Sequence, residues 1–302
     1  MKLAYIIPTK DRPDDMRTLL TSLVRQTCAA HQIIVVDGSN PTIESVIAEF
    51  PDLSITYVRV FPPSLAAQRN AGVDALAPDA DLIGFLDDDL VLEPDASERM
   101  LDFWATAASD TGGAGFAILN QPVATAAWLS RFFLIDDPRP GRLLISGFQS
   151  QIPPLTTLTE TQWLYGGATV WRRKVIEQYR YDDWYLGHGY LEDVDFSHRV
   201  NQTYRLFVVG AAMVNHYSRP VRSSAQFMIG RQQVVNRSYF VAKFPAFSRL
   251  GLAWALFGQM VFNLGSSVYR RDLDGARRAL GNAAGIADLV SRRNRRVGGY
   301  YK

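Results

Sequence analysis

Four short, unbroken apolar runs punctuate the first ninety residues at regular intervals: Leu3 to Ile7, Ile33 to Val36, Ile55 to Val60 and Leu82 to Leu86. Runs of this length, with no alternation of polar and apolar residues, suit strands buried on both faces. Between them the apolar residues recur with a helical period. Pro13 opens one helix, with Met16, Leu19, Leu20, Leu23 and Val24 on one face. Ile43, Val46, Ile47 and Phe50 mark a second helix, and Ser64 to Leu76 a third. Such alternation closes through right-handed crossovers into a mostly parallel sheet flanked by helices. In an α/β fold of this kind, ligands bind beyond the carboxyl ends of the strands.

The polar residues fall where that rule wants them. Thr9-Lys10-Asp11-Arg12 follows the first strand and Asp37-Gly38-Ser39 the second, while the fourth ends in three consecutive carboxylates, Asp87-Asp88-Asp89. Two unit charges ~4 Å apart interact by roughly 4 kcal/mol at the effective dielectric of a protein surface, so clustered acids at a half-buried strand end call for a cation. All-oxygen ligands suit a hard ion, Mg²⁺ or Mn²⁺. Taken singly, the triplet also reads as a solvated turn and the two loops as ordinary turn chemistry. Their joint placement on one sheet edge favours a single nucleotide-sized cleft.

Further along, Met100, Leu101, Phe103, Trp104 and Ala107 give a helix core face after Pro94. Gly112-Gly113-Ala114-Gly115 lacks the third glycine of a dinucleotide loop and is read as leading into a strand at Phe116 to Leu119. Residues Gln121 to Gln162 show little periodicity. Paired glycines at Gly166-Gly167, just before a strand, either let the backbone approach a ligand or make a tight turn. In Gly187-His188-Gly189-Tyr190-Leu191-Glu192-Asp193-Val194-Asp195, helix capping accounts for Asp195. It leaves Glu192 and Asp193, which follow a loop able to bring them to a ligand.

Ile6-Ile7-Pro8-Thr9-Lys10-Asp11-Arg12, Val35-Val36-Asp37-Gly38-Ser39, Ala66-Ala67-Gln68-Arg69-Asn70-Ala71-Gly72 and Phe85-Leu86-Asp87-Asp88-Asp89 together resemble the successive signatures of family 2 glycosyltransferases with the GT-A (Rossmann-like) fold, of the bacterial, rhamnosyltransferase-like kind. The likeness runs from about Lys2 to Tyr217. It implies an inverting, metal-dependent transfer from a nucleoside-diphosphate sugar, with a UDP- or dTDP-sugar expected, to a hydroxyl of a lipid-linked or polysaccharide acceptor. Asp11 stands where many members have Asn, and Gly-Ser follows Asp37 where Asn-Gly-Ser is common, which leaves the base open.

Carried onto this chain, the resemblance assigns Asp89 and Asp87 to the metal, with His216, in Val214-Asn215-His216-Tyr217, as a third ligand. Pro8, Thr9, Asp11, Arg12, Asp37, Arg69 and Asp88 would border the nucleotide, with Asp37 accepting from a base N–H. Gly166 and Gly167 would lie beneath the donor sugar. His188 and Tyr190 would meet the acceptor, Asp193 would act as general base and Glu192 would support the acceptor. An Asp-x-Asp-x-Val shape is shared with haloacid dehalogenase-like phosphatases, but there it belongs on the first strand. A calcium loop fails because its sixth position is Leu92 rather than glycine. A non-catalytic carbohydrate-binding or scaffold subunit on the same fold stands as a further alternative.

Charge is divided unevenly. From Arg219 onward there are fifteen Lys/Arg against three Asp/Glu, leaving seventeen against twenty-seven before it. The expected organisation is therefore a catalytic domain over 1–218, with a nucleotide-binding half (1–110) and an acceptor half (111–218), and a basic helical extension over 219–302. Gln226 to Lys243 reads as a helix, with Arg231 and Arg237 available to the diphosphate or acceptor. Leu250 to Tyr269 carries no charge and has Gly251, Gly258 and Gly265 at seven-residue intervals. It is open to three readings: a helix in the interface of an anionic membrane, burial against the protein or a second copy in a homodimer, or a membrane span. Arg292-Arg293-Asn294-Arg295-Arg296 lacks interleaved aromatics, which argues against nucleic acid. The single cysteine, Cys28, and the short apolar run at the N-terminus point to a cytoplasmic protein, peripheral on the inner face of the cell membrane if the interfacial reading holds.

Overall fold

The computed structural model describes residues 1–122 and 128–291, so Arg292-Arg293-Asn294-Arg295-Arg296 lies outside the described residues. In chain order the elements are β1 (Leu3–Thr9), α1 (Pro13–Val24), β2 (Gln32–Asp37), α2 (Glu44–Ile47), β3 (Ile55–Arg59), α3 (Leu65–Asp74), β4 (Leu82–Leu86), β5 (Leu90–Leu92), α4 (Ala96–Thr106) and β6 (Thr111–Ile118). There follow α5 (Trp128–Phe132), β7 (Thr159–Thr161), β8 (Ala168–Arg172), α6 (Arg173–Gln178), α7 (Glu192–Asn201), β9 (Arg205–His216), α8 (Gln226–Lys243), α9 (Arg249–Arg270) and α10 (Asp274–Val290). They form two compact units. The first comprises Met1–Val123, Pro153–Asp183 and Glu192–Ser218; the second comprises Ala124–Ile152, Trp184–Leu191 and Arg219–Lys302. The helical unit thus takes in two earlier stretches besides the residues after 218.

The first unit is built on a nine-stranded sheet of order β3-β2-β1-β4-β8-β6-β9-β5, with β7 paired to β9. The strands β1 to β4, β6 and β9 run one way, and β8 is inserted antiparallel between β4 and β6. The α/β architecture expected from the apolar runs is present, since β1 and β4 are buried at every residue. Their core continues into Met16, Leu19, Leu20 and Leu23 of α1 and Met100 and Trp104 of α4. Val24, expected on the same stripe, is exposed where α1 ends.

Strand β6 begins five residues before the expected Phe116, taking in the glycines of Gly112-Gly113-Ala114-Gly115. A side chain at Gly113 would meet the Trp171 ring of β8 at 2.3 Å, so packing of a large neighbour, and not strand propensity, selects glycine there. Two strands went unread in the sequence because three residues are too few to show a period: β5, paired antiparallel with the end of β9, and β7, paired antiparallel with an earlier part of the same strand.

In the second unit α10 packs along α8 and α9, and Asn282 joins all three: its Oδ1 accepts from Asn263 Nδ2 of α9 at 2.8 Å and its Nδ2 donates to the Gly230 carbonyl of α8 at 2.7 Å. Arg231 and Arg237 are engaged within this unit and not held ready for a ligand. Arg231 pairs with Asp288, while buried Arg237 donates to the Gly147 carbonyl and Gln149 and stands 3.8 Å over the Phe148 ring. The seven-residue glycine spacing of α9 does not mark one packing face. Gly258 lies against Phe133, but Gly265 faces open space. Among the described residues no helix is long and apolar enough to cross a membrane, which removes the spanning reading of Leu250 to Tyr269.

Gln68 of α3 ties the carboxyl ends of the first two strands together. Its Nε2 donates to the Thr9 carbonyl at 2.9 Å and to the Val36 carbonyl at 2.8 Å, in a site only 2% exposed. A buried acceptor left without its donor costs about 1–3 kcal/mol. Gln68→Leu is therefore expected to lower the unfolding free energy by about that amount in urea denaturation, with little change in slope.

Candidate active site

The turn after β4 carries the three carboxylates, and the sheet holds each differently. Because Leu90 of β5 lies in register with His216 of β9, the strand pairing sets His216 beside Asp89, with Nε2 to Oδ1 at 2.9 Å. Ligand atoms of Asp87, Asp89 and His216 all lie within 4.8 Å of one another. Two carboxylates and an imidazole on a rigid sheet edge fit a divalent cation of the Mn²⁺ or Mg²⁺ type, the softer nitrogen favouring Mn²⁺. Asn120, unnoticed in the sequence, brackets the backbone of His216, donating to its carbonyl at 3.0 Å and accepting from its N–H at 2.8 Å. Burial alone would raise Asp89, but His216 and Arg12 outweigh it and hold the carboxyl below its usual range. His216 is raised in return, chiefly by its bond to Asp89.

Asp88 turns the other way. Its Oδ2 accepts from Thr9 Oγ1 at 2.7 Å and its Oδ1 from Arg12 Nη1 at 2.9 Å, and the same Nη1 reaches Asp89 at 2.8 Å. Burial pushes Asp88 up to about 7, against the pull of Arg12. The preceding loop is shaped by Asp11, whose φ of +55° is a left-handed conformation that Asp and Asn tolerate better than other side chains. Its N–H donates to Ser39 Oγ at 2.7 Å and its Oδ1 accepts from Asn40 N at 3.0 Å, joining the β1 and β2 loops. Pro8 lies within β1, one residue before buried Thr9.

Asp37, fully buried, already receives the Ser39 and Ile43 N–H groups, the Tyr57 hydroxyl and Arg59 Nη1. Those donors outweigh its desolvation and keep it ionised. They also make Asp37 the anchor of the loop after β2.

Arg69, expected beside the nucleotide, is 1% exposed and joins the two acidic clusters. Nη2 donates to Asp87 Oδ1 at 3.1 Å and Nη1 to Glu192 Oε1 at 3.0 Å, while its Cζ lies 5.0 Å from the Tyr181 ring centroid. The glycine pair is explained by the same cluster. A side chain at Gly167 would meet the Asp87 carboxylate at about 1.9–2.2 Å, and one at Gly166 would meet Arg69 and Asp193 inside 3 Å. What these glycines let close is the acids themselves. The Asp87 N–H donates to the Gly167 carbonyl at 2.8 Å, and the Gly166 N–H to Asp193 Oδ2 at 3.2 Å.

Glu192 and Asp193 open α7, and burial raises both carboxyls above their usual range, Asp193 adding to the shift of Glu192 and Arg69 opposing both. Such a pair retains a proton at neutral pH that isolated carboxylates would lose. Asp195 pairs with Arg199 at 2.7 Å within the helix. His188 and Tyr190 belong to the second unit. There Gly187, Gly189, Tyr190 and Leu191 all have positive φ, and Asn236 Nδ2 donates to the Gly189 and Tyr190 carbonyls at 2.9 and 3.0 Å. Two successive non-glycine residues in that conformation store strain directly before Glu192.

Residues 5–180 match the family described as Glycosyl transferase family 2. The succinoglycan biosynthesis protein ExoW of Rhizobium meliloti (strain 1021) is 32% identical over 128 residues, 38% of this chain and 40% of that protein. The chain thus spans about two fifths of the length of the curated relatives it matches. Among solved structures, the mannosyltransferase PcManGT of Pyrobaculum calidifontis, in complex with GDP-Man and Mn²⁺, superposes with a TM-score of 0.60 at 12% identity, over 95% of this chain and 87% of its own. S. aureus TarS 1-349 in complex with UDP gives 0.52 at 14% identity, over 98% and 92%. At these identities the structures establish the shared GT-A fold.

The carboxyl pair sets a pH test. With Glu192 raised above its unfolded value, its contribution to stability is intact below the ordinary carboxylate range and is lost as pH rises through the folded value. Glu192→Gln removes that loss. The variant is expected to melt with the wild type near pH 4 and about 2–4 °C above it at pH 8, read by thermal unfolding across that range.

Proposed function

Because the chain belongs to glycosyl transferase family 2 and is therefore a glycosyltransferase, we propose that it moves a sugar with inversion from a nucleoside diphosphate, UDP or dTDP being favoured, to a hydroxyl of a lipid-linked or polysaccharide acceptor. The observation that carries this reading is the linkage of the Asp87–Asp89–His216 triad to the Glu192–Asp193 pair through one buried guanidinium, Arg69. Membership of the family removes the phosphatase alternative. The UDP and Mn²⁺ of the two structural neighbours agree with the donor and metal classes, GDP-Man keeps the base open, and ExoW's part in succinoglycan biosynthesis agrees with a polysaccharide acceptor.

Asp87, Asp89 and His216 would hold a divalent ion, Mn²⁺ or Mg²⁺, which when bound offsets the negative charge that develops on the departing diphosphate. Thr9, Asp11, Arg12 and Asp88 line the nucleotide edge, where Asp88 is kept in place by Thr9 and Arg12. Asp37 orders the loop after β2. Gly166 and Gly167 leave room for the donor sugar above the acids they admit. In the transfer the acceptor oxygen attacks the anomeric carbon as the bond from that carbon to the diphosphate oxygen breaks. Attack from the opposite face inverts the configuration. Asp193 takes the hydroxyl proton in the same step, and its burial, which raises its proton affinity, favours that transfer. Glu192, 5% exposed and turned to Arg69, keeps Arg69 and Asp193 in position.

A positioned base contributes about 10²- to 10⁴-fold. Asp193→Asn is expected to lose transfer by that factor while binding UDP and Mn²⁺ as the wild type does; a variant that still transfers sugar would remove Asp193 from the role. His216→Ala should weaken Mn²⁺-dependent UDP binding by at least about tenfold, or about 1.4 kcal/mol, in calorimetry. Thermal-shift screening of nucleoside diphosphates with and without Mn²⁺ tests the whole reading. Stabilisation by one nucleotide only when metal is present, with slow release of free sugar from its sugar conjugate, supports it. No response to any nucleotide overturns it.

A further inference from the structure

Helix α9 buries Leu252, Ala255, Leu256 and Asn263 on its inner side and still carries a row of large apolar side chains outside. Six large apolar side chains, Leu250, Trp254, Phe257, Val261, Leu264 and Val268, are spaced alternately four and three residues apart, and all six are 40% exposed or more. No residue on the exposed side between Arg249 and Arg270 is charged, and the polar ones face inward. Asn263 bonds to Asn282 in the buried network, and Ser267 Oγ accepts from the Ala276 N–H at 2.8 Å. The exposed stripe continues onto α5, where Phe132 lies edge-on to Trp254 at 5.2 Å and Trp128 stands 71% exposed. A contiguous apolar face of this extent marks a surface that is covered in use.

Its rim identifies the cover. Arg131, Arg249, Arg270 and Arg271 are exposed at the edges and ends of the stripe, and neither α5 nor α9 contains an Asp or Glu. The acids that follow the two helices are engaged elsewhere: after α9, Asp272 caps the Asp274 N–H and Asp274 pairs with Arg277, and after α5, Asp136 accepts from the Asp137 N–H and Asp137 pairs with Arg139. A second copy would suit the spacing of the stripe. Paired parallel or antiparallel, however, it would set arginine ends against arginine ends with no acid between them. A negatively charged bilayer surface satisfies both features at once, taking the apolar face into the acyl boundary and the arginines among its phosphates. Trp128, Trp254 and Tyr269, each with an apolar ring and one polar atom, suit that boundary.

We propose that the outward face of α5 and α9 docks on an anionic lipid surface, with α9 lying in the plane of the bilayer. The assignment rests on the second unit alone and stands apart from the transfer reaction, though it would carry the enzyme to a lipid-linked acceptor.

Flotation of the full chain with vesicles tests it. The protein is expected to float with mixed phosphatidylcholine and phosphatidylglycerol vesicles and to stay at the bottom with phosphatidylcholine alone. Leu264→Glu/Val268→Glu should cut the floated fraction at least about tenfold, and Arg249→Ala/Arg270→Ala should weaken flotation at low salt by an amount that shrinks as salt is raised. Leu250→Glu/Val268→Glu, at positions 85% and 80% exposed, repeats the test if the first pair melts below the wild type. Three results would overturn the proposal: no flotation of the wild type with either vesicle, flotation that the glutamates leave unchanged, or a dimer in sedimentation velocity that Leu264→Glu/Val268→Glu dissociates while no flotation occurs.

Discussion

A single buried guanidinium organises the first unit's chemistry. Taking Arg69 and its partners out of water costs several kcal/mol per ion, which only close, well-bonded opposite charge can offset. Arg69 meets that condition by dividing its two terminal nitrogens between Asp87 and Glu192, with Tyr181 beneath its plane. The acids in turn can close on it only because Gly166 and Gly167 offer no side chain. Removing the cation would strand the Glu192 carboxylate in a dry site and leave the half-buried Asp87 without its partner. Sheet turn, glycine strand entry and helix start are therefore fixed in relation to one another by electrostatics before any ligand arrives.

Much of this was readable in advance. Buried parallel strands must be apolar throughout, so β1, β2 and β4 stood out, and the loops at their carboxyl ends had to carry the polar chemistry. The acids of the triad stood out for the same reason, since three carboxylates at a strand end call for a cation, whereas His216 entered only through the family resemblance. What escaped the sequence depends on tertiary partners. Strand β5 is three residues long and exists through β9, and the glycines of β6 lie in a strand because Trp171 covers them. Asn120 looks like a loop residue until its two bonds to His216 are seen. Arg69 carries the signature of a nucleotide contact, but nothing in its neighbours in sequence announces two carboxylates from 18 and 123 residues away.

The second unit shows the limit of pattern reading more sharply. Composition revealed an uncharged stretch interrupted by Gln, Asn and Ser, but not which side of the helix each would occupy. That was decided by α10, whose small residues allow close packing and whose Asn282 draws Asn263 inward. Once the polar side chains are committed to the interior beside Leu252, Ala255 and Leu256, the remaining large apolar ones are left outside, and a helix that composition alone would bury gains an exposed apolar face.

The pairing of β5 with β9 has a consequence for the order in which the molecule is made. Asp87 and Asp89 emerge from the ribosome more than a hundred residues ahead of His216, and among the described residues β5 is an edge strand paired with β9 alone. A growing chain that has delivered β1 to β4 can therefore build the nucleotide edge of the sheet. It cannot yet assemble the triad, because the strand that seats His216 has not been translated. Any ion that these three side chains would share can be met by all of them only once β9 has joined β5 and completed this edge of the sheet.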